Sequence, residues 1–66
     1  MDAMRGLIVK GKYIKIFFKY PEVDKLIIKS GLVLETSEDS FILEEVKDGV
    51  SGYSYDYVIE VREDGK

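Results

Sequence analysis

Residues 25–46 read KLIIKSGLVLETSEDSFILEEV, and this stretch decides the fold. A β-branched and leucine-rich run carries one glycine, Gly31, then breaks at Ser37-Glu38-Asp39-Ser40 and resumes at Phe41. Such runs separated by a short polar cluster predict two antiparallel strands joined by a tight turn. Glycine inside a strand marks a bend, a bulge or a close backbone approach. The expectation is a bent hairpin at the centre of a small sheet. In the first strand Leu26, Ile28, Ser30, Leu32 and Leu34 alternate and are assigned inward, which leaves Lys25, Ile27, Lys29, Val33 and Glu35 facing out.

Working outward, residues 6–10 (GLIVK) and 12–19 (KYIKIFFK) flank Gly11 and predict a further hairpin. Ile14, Ile16, Phe18 and Tyr20 fall on one face of the second run, assigned to the core. Tyr13, Lys15, Phe17 and Lys19 fall on the other. Pro21 ends the strand because it has no N–H for the ladder. Lys47-Asp48-Gly49 is a turn signal, and residues 50–52 are read as lengthening that loop. Residues 53–62 (YSYDYVIEVR) predict one last strand with Tyr53, Tyr55, Tyr57, Ile59 and Val61 on one face. Five strands and no convincing helix make an all-β chain. A small, strongly bent antiparallel barrel of SH3-like or OB-like type closes that many short strands and removes their edges.

Sixty-six residues allow one domain, with ends at 1–5 and 63–66 expected to fray and either Met1 or Met4 as the start. Cysteine and histidine are absent, so disulfide, thiolate and imidazole chemistry are excluded, and oligomerisation is the remaining route to extra stability. No apolar run reaches the length of a membrane span, and a cytoplasmic location is expected. Residues 1–33 hold seven Lys or Arg against three acids, whereas residues 34–66 hold ten acids against three Lys or Arg. The imbalance suggests one basic and one acidic surface, with the acidic edge of one subunit meeting the basic edge of the next.

Residues 28–62 resemble the Sm-like family, in particular its bacterial Hfq branch. The resemblance rests on Gly31-Leu32-Val33, the acid Asp39 in the turn, Phe41-Ile42-Leu43, and the spacing of Tyr55, Ile59 and Arg62. It implies a five-stranded bent barrel that assembles into a ring and binds single-stranded, often uridine-rich RNA. Sm-like chains begin with a short helix where residues 6–19 here read as a hairpin, and the loop at residues 20–24 is longer than usual. At the family's Tyr-Lys-His tip this chain has Tyr55-Asp56-Tyr57, and an aspartate there repels phosphate.

The candidate RNA contact is therefore the outer stripe Tyr13, Lys15, Phe17 and Lys19, extended by Lys25 and Lys29. Aromatic faces stack bases and interleaved lysines track phosphates. The same pattern also describes a solvated strand face. Tyr53, Tyr55, Tyr57, Ile27 and Val33 are the candidate subunit interface, the tyrosines reading equally as core. The acids Glu35, Glu38, Asp39, Glu44 and Glu45 match no metal-binding spacing, and neither metal nor cofactor is expected. No serine has a visible activating base and no phosphate-binding glycine loop occurs, which argues against an enzyme. The alternatives to RNA are a protein-interaction module without a nucleic-acid role and a DNA-binding barrel.

Overall fold

The computed structural model describes residues 6–64. Five strands form one antiparallel sheet: β1 (Tyr13–Phe18), β2 (Ile27–Thr36), β3 (Ser40–Glu45), β4 (Gly49–Ser54) and β5 (Val58–Glu63). A 3-10 turn at Tyr55–Tyr57 links the last two. The spatial order is β4-β3-β2-β1-β5, so β4 and β5 are the edges of an open sheet. The β2–β3 turn is stapled by serines: the Ser37 amide donates to the Ser40 carbonyl at 2.8 Å, and the Ser40 amide donates back to the Ser37 hydroxyl at 3.3 Å. Positive φ angles at Gly11 (92°) and Gly49 (77°) form the turns that lead into β1 and β4, conformations that other residues adopt only at a cost.

β2 is shared by two half-sheets. Its residues 27–32 pair with β1 and residues 31–36 pair with β3, and the two ladders overlap only at Gly31 and Leu32. At that crossing β3 comes very close. A Cβ built on Gly31 would overlap the Glu44 carbonyl oxygen and lie 2.9 Å from its carbon. The sheet curls strongly around this point. The rings of Phe18 on β1 and Tyr53 on β4 are 5.0 Å apart, although a flat sheet would separate strands three places apart by about 14 Å. Inside the curl Ile14, Ile16, Val33, Phe41 and Leu43 are almost wholly buried, with Ile8, Phe18, Tyr55, Val58 and Val61 around them.

Several expectations need correction. Residues 6–10 form no strand: Gly6 and Leu7 are helical, Leu7 packs against the core, and Ile8 is buried in it. From Ile27 to Val33 the facing of β2 is the reverse of that read from the sequence, and a register shift between Val33 and Glu35 then leaves Glu35 outward as expected. Val33 and Gly31 are buried and Ile27 packs on the core, while Leu26 and Ile28 are half exposed. Both parities of this strand hold large apolar residues, so composition does not choose between them. The close approach of Glu44 requires the residue without a side chain on the inner face. Residues 50–52 belong to β4 rather than a loop.

The run at residues 53–62 is two strands, because the Ser54 hydroxyl accepts from the Asp56 amide at 3.2 Å and starts the 3-10 turn. In β5 the register slips, with Phe18 opposite Val58 but Phe17 opposite Glu60. Ile59 is the extra residue of this bulge and faces solvent, while Val58 and Val61 both point inward. Residues 63–64 are held, since the Asp64 amide donates to the Tyr13 carbonyl and Lys12 pairs with Glu63. The rest of the expected fraying, at residues 1–5 and 65–66, lies outside the described residues, as does the choice of start at Met1 or Met4.

Gly31→Ala should lower stability by roughly 1–3 kcal/mol, because backbone rather than a flexible side chain must yield. Urea denaturation checks this against Gly52→Ala, where the nearest atom to an added Cβ is 3.9 Å away and a change within about 0.5 kcal/mol is expected. Equal midpoints for the two variants would contradict the close approach.

Candidate nucleic-acid interface

Antiparallel partners directly opposite each other share a face of the sheet. Across β2, β1 and β5 the register sets Ser30, Lys15 and Arg62 in one row and Ile28, Phe17 and Glu60 in the next, with Tyr13 opposite Leu32. The outer face of β1 thus holds Tyr13, Lys15 and Phe17 together, each half buried. Arg62, which the sequence reading left out, joins them. Its Nε donates to a Glu60 carboxylate oxygen at 2.6 Å, and its guanidinium carbon lies 5.1 Å from the Phe17 ring centroid, within cation–π range. The Lys15 ammonium has no carboxylate within ion-pair distance among the described residues.

The other three lysines of the stripe are placed differently. Lys19 follows β1, and its ammonium is 2.9 Å from an Asp24 carboxylate oxygen. Lys25 lies in the exposed connection before β2 and has no ion pair among the described residues. Lys29 sits opposite Ile16 and so points to the inner side, away from Lys15. It spans the place where β3 leaves β2, with its ammonium 2.5 Å from an Asp48 carboxylate oxygen and 3.9 Å from Oε1 of Glu45. The hydrogen bond to Asp48 raises the Lys29 pKa above its usual value and lowers that of Asp48, so both remain charged near neutrality.

Glu45 is the buried member of this group, 5% exposed. Its Oε2 accepts a hydrogen bond from the Tyr53 hydroxyl, while Oε1 has no hydrogen-bond partner among the described residues. Burial, reinforced by the Glu45 carboxylate, pushes the Tyr53 hydroxyl well above the ordinary tyrosine range and keeps it protonated.

Most of the expected interface set serves the protomer's own core. Val33 and Tyr55 are buried, Ile27 packs on the core, and Tyr53 lies against Phe18 and Phe41 at 5.0 and 5.8 Å between ring centroids. Of the five, Tyr57 alone stays substantially open, edge-on to Tyr20 at 5.2 Å. The separate basic and acidic surfaces are also corrected. Lys10 pairs with Glu35, Lys12 with Glu63, and Lys29 with Asp48 and Glu45, so much of the opposite charge of the two halves meets within one chain. Among the described residues no three carboxylates gather as a metal-ligand group. Comparison with protein families, with curated proteins and with solved structures returns no match.

Tyr53→Phe should cost about 1–3 kcal/mol by leaving Glu45 without its donor. It should also flatten the alkaline limb of stability. A hydroxyl whose folded pKa is raised contributes stability that is complete below the unfolded value near 10 and is lost as pH rises past it. Urea midpoints between about pH 9 and about pH 11 should therefore fall more steeply in the wild type than in Tyr53→Phe. Lys29 adds a decline of the same sign to both proteins, and parallel curves would refute the Tyr53 assignment.

Proposed function

We propose that this chain is a non-enzymatic Sm-like barrel of the cytoplasm that assembles through its sheet edges and binds single-stranded RNA on the outer face of β1. The observation that carries the reading is the register that sets Tyr13, Lys15 and Phe17 on one face beside Arg62. Two rings that stack bases and the Lys15 ammonium that meets phosphate, with Arg62 beside them held by Glu60, are parts that single-strand recognition needs. Support for the barrel comes from the curl that brings Phe18 of β1 against Tyr53 of β4. Helical backbone at Gly6 and Leu7 agrees with the short helix with which Sm-like chains begin. At the family's RNA tip Tyr55 is buried and Asp56 is acidic and exposed, so the contact moves to the β1 face.

Support for assembly comes from the topology. β4 and β5 are different strands, each with one side unpaired. Joining the β4 edge of one copy to the β5 edge of the next is a head-to-tail contact, which closes into a ring when the rotation permits. A ring repeats the β1 face, so weak single contacts gain avidity on one strand of RNA. Among the described residues no helix is long and apolar enough to cross a membrane.

A second reading, a protein-assembly module without RNA, is favoured by the exposure of Ile28, Val50 and Ile59 and by the number of lysines already neutralised by acids.

Anisotropy titrations with short U-rich and A-rich RNAs at about 50 and about 200 mM salt distinguish the two readings. Lys15→Glu should weaken binding and reduce the salt slope by about 1 or more, and Phe17→Ala should cost about 1–3 kcal/mol. Absence of binding at the lower salt, or indifference to both variants, removes the RNA reading. Mass measured by light scattering at the same two salts tests assembly separately, and a monomer at both rules it out.

A further inference from the structure

We propose that the free side of β2 at residues 27–30 is a docking edge for an extended acidic-apolar peptide, which adds to the sheet as a short strand. β3 ends opposite Gly31, so these four residues pair with β1 on one side and, among the described residues, have no strand partner on the other. Backbone donors and acceptors in an unpaired strand edge are the recognition element in β-strand addition.

The edge lies in a groove. A cleft of about 670 Å³ lies between residues 25–29 and residues 51–53 of β4. A second, of about 310 Å³, lies between residues 28–30 and residues 45–48, and the two meet at Ile28 and Lys29. The β3–β4 hairpin is thus the far wall, facing the unpaired stretch of β2. The larger cleft takes its apolar lining from Phe18, Tyr20, Leu26 and Tyr53, with Leu26 and Ile28 each about half exposed.

Charge selects the occupant. The larger cleft is lined by Lys25 and Lys29 and by no carboxylate, in a chain whose net charge is −3, while the two carboxylates of the smaller cleft, Glu45 and Asp48, face Lys29. Among the described residues Lys25 has no ion pair, so its ammonium can meet an incoming acid. A strand presents alternate side chains to opposite faces, so a peptide that alternates large apolar residues with carboxylates sets its apolar side chains in the cleft while an acid reaches Lys25, Lys29 being held by Asp48 and Glu45. The site uses the edge of β2 rather than the outer face of β1, and it stands or falls apart from RNA binding.

The test uses the full chain and two capped probes, Glu-Val-Glu-Phe-Glu-Val-Glu and Lys-Val-Lys-Phe-Lys-Val-Lys, followed by amide NMR. The acidic peptide should shift amides at residues 25–30 and 51–53 and slow hydrogen exchange within residues 27–30. Lys25→Glu should weaken it roughly fivefold, the scale of an exposed ion pair, while Lys15→Glu leaves it unchanged. The proposal is overturned by equal or tighter binding of the lysine peptide, or by shifts confined to the outer edges of β4 or β5. It is also overturned if the same amides shift with protein concentration alone, which makes a second copy the occupant, or if a U-rich oligonucleotide displaces the peptide from them.

Discussion

The close passage of the Glu44 backbone over Gly31 is the constraint on which the rest of the molecule depends. Because no side chain stands at Gly31, β3 can come close to β2 there; it pairs with residues 31–36 on one side of the strand while β1 pairs with residues 27–32 on the other. A ten-residue strand thereby serves two half-sheets. The stagger between the half-sheets, with the twist inherent in strands, brings Phe18 and Tyr53 together and encloses Phe41, Leu43 and the β1 isoleucines. A side chain at Gly31 would push apart the two ladders that meet there, so the cost would fall on the whole curl rather than on one contact.

Departure of β3 from β2 also creates a gap, and the polar cluster of Lys29, Glu45, Asp48 and Tyr53 spans it. Glu45 and Tyr53 lie across β3 and β4, while Lys29 reaches from β2 to the β3–β4 hairpin. A buried carboxylate is tolerated only when donors and a counter-charge accompany it. Here one oxygen has the Tyr53 hydroxyl and the other has the Lys29 ammonium 3.9 Å away, beyond hydrogen-bond distance. The side of β2 that β3 leaves is therefore bridged by charge at Lys29 rather than by a ladder, and among the described residues the backbone of residues 27–30 has no strand partner there.

Much of this fold is legible in the sequence, and the misreadings have local causes. Alternation in β1 identifies Ile14, Ile16 and Phe18 correctly, because lysines mark the opposite face. The turns at Ser37 and at Asp48-Gly49 are equally clear from residue type. β2 is ambiguous because apolar residues occupy both parities, and only the nonlocal contact at Gly31 fixes which face is inner. The tyrosine run hides a strand break, since Ser54 caps the 3-10 turn without any glycine or proline to announce it. Five strands were expected and five are present, but one expected at residues 6–10 is missing and one expected at residues 53–62 divides in two. The β1 stripe was legible as far as Phe17. The inward turn of Lys29 and the arrival of Arg62 depend on register, which no local pattern encodes.

Charge shows the same dependence on nonlocal structure. A basic first half and an acidic second half look like two opposed surfaces as long as the chain is read along its length. Antiparallel pairing folds one half against the other, and Lys10, Lys12 and Lys29 each meet acids from beyond residue 33. Exposed ion pairs of this kind add little stability individually, but they remove these lysines from competition for an external ligand. Among the described residues Lys15, Lys25 and Lys47 have no ion pair, and the first two are more informative than the total of ten because each lines a face or cleft with exposed apolar surface. Lys15 stands among the aromatic rings of the β1 face, and Lys25 stands at the mouth of the cleft along β2. Both proposed recognition sites stand where folding leaves positive charge beside exposed apolar surface, one on the outer face of β1 and the other along the free side of β2.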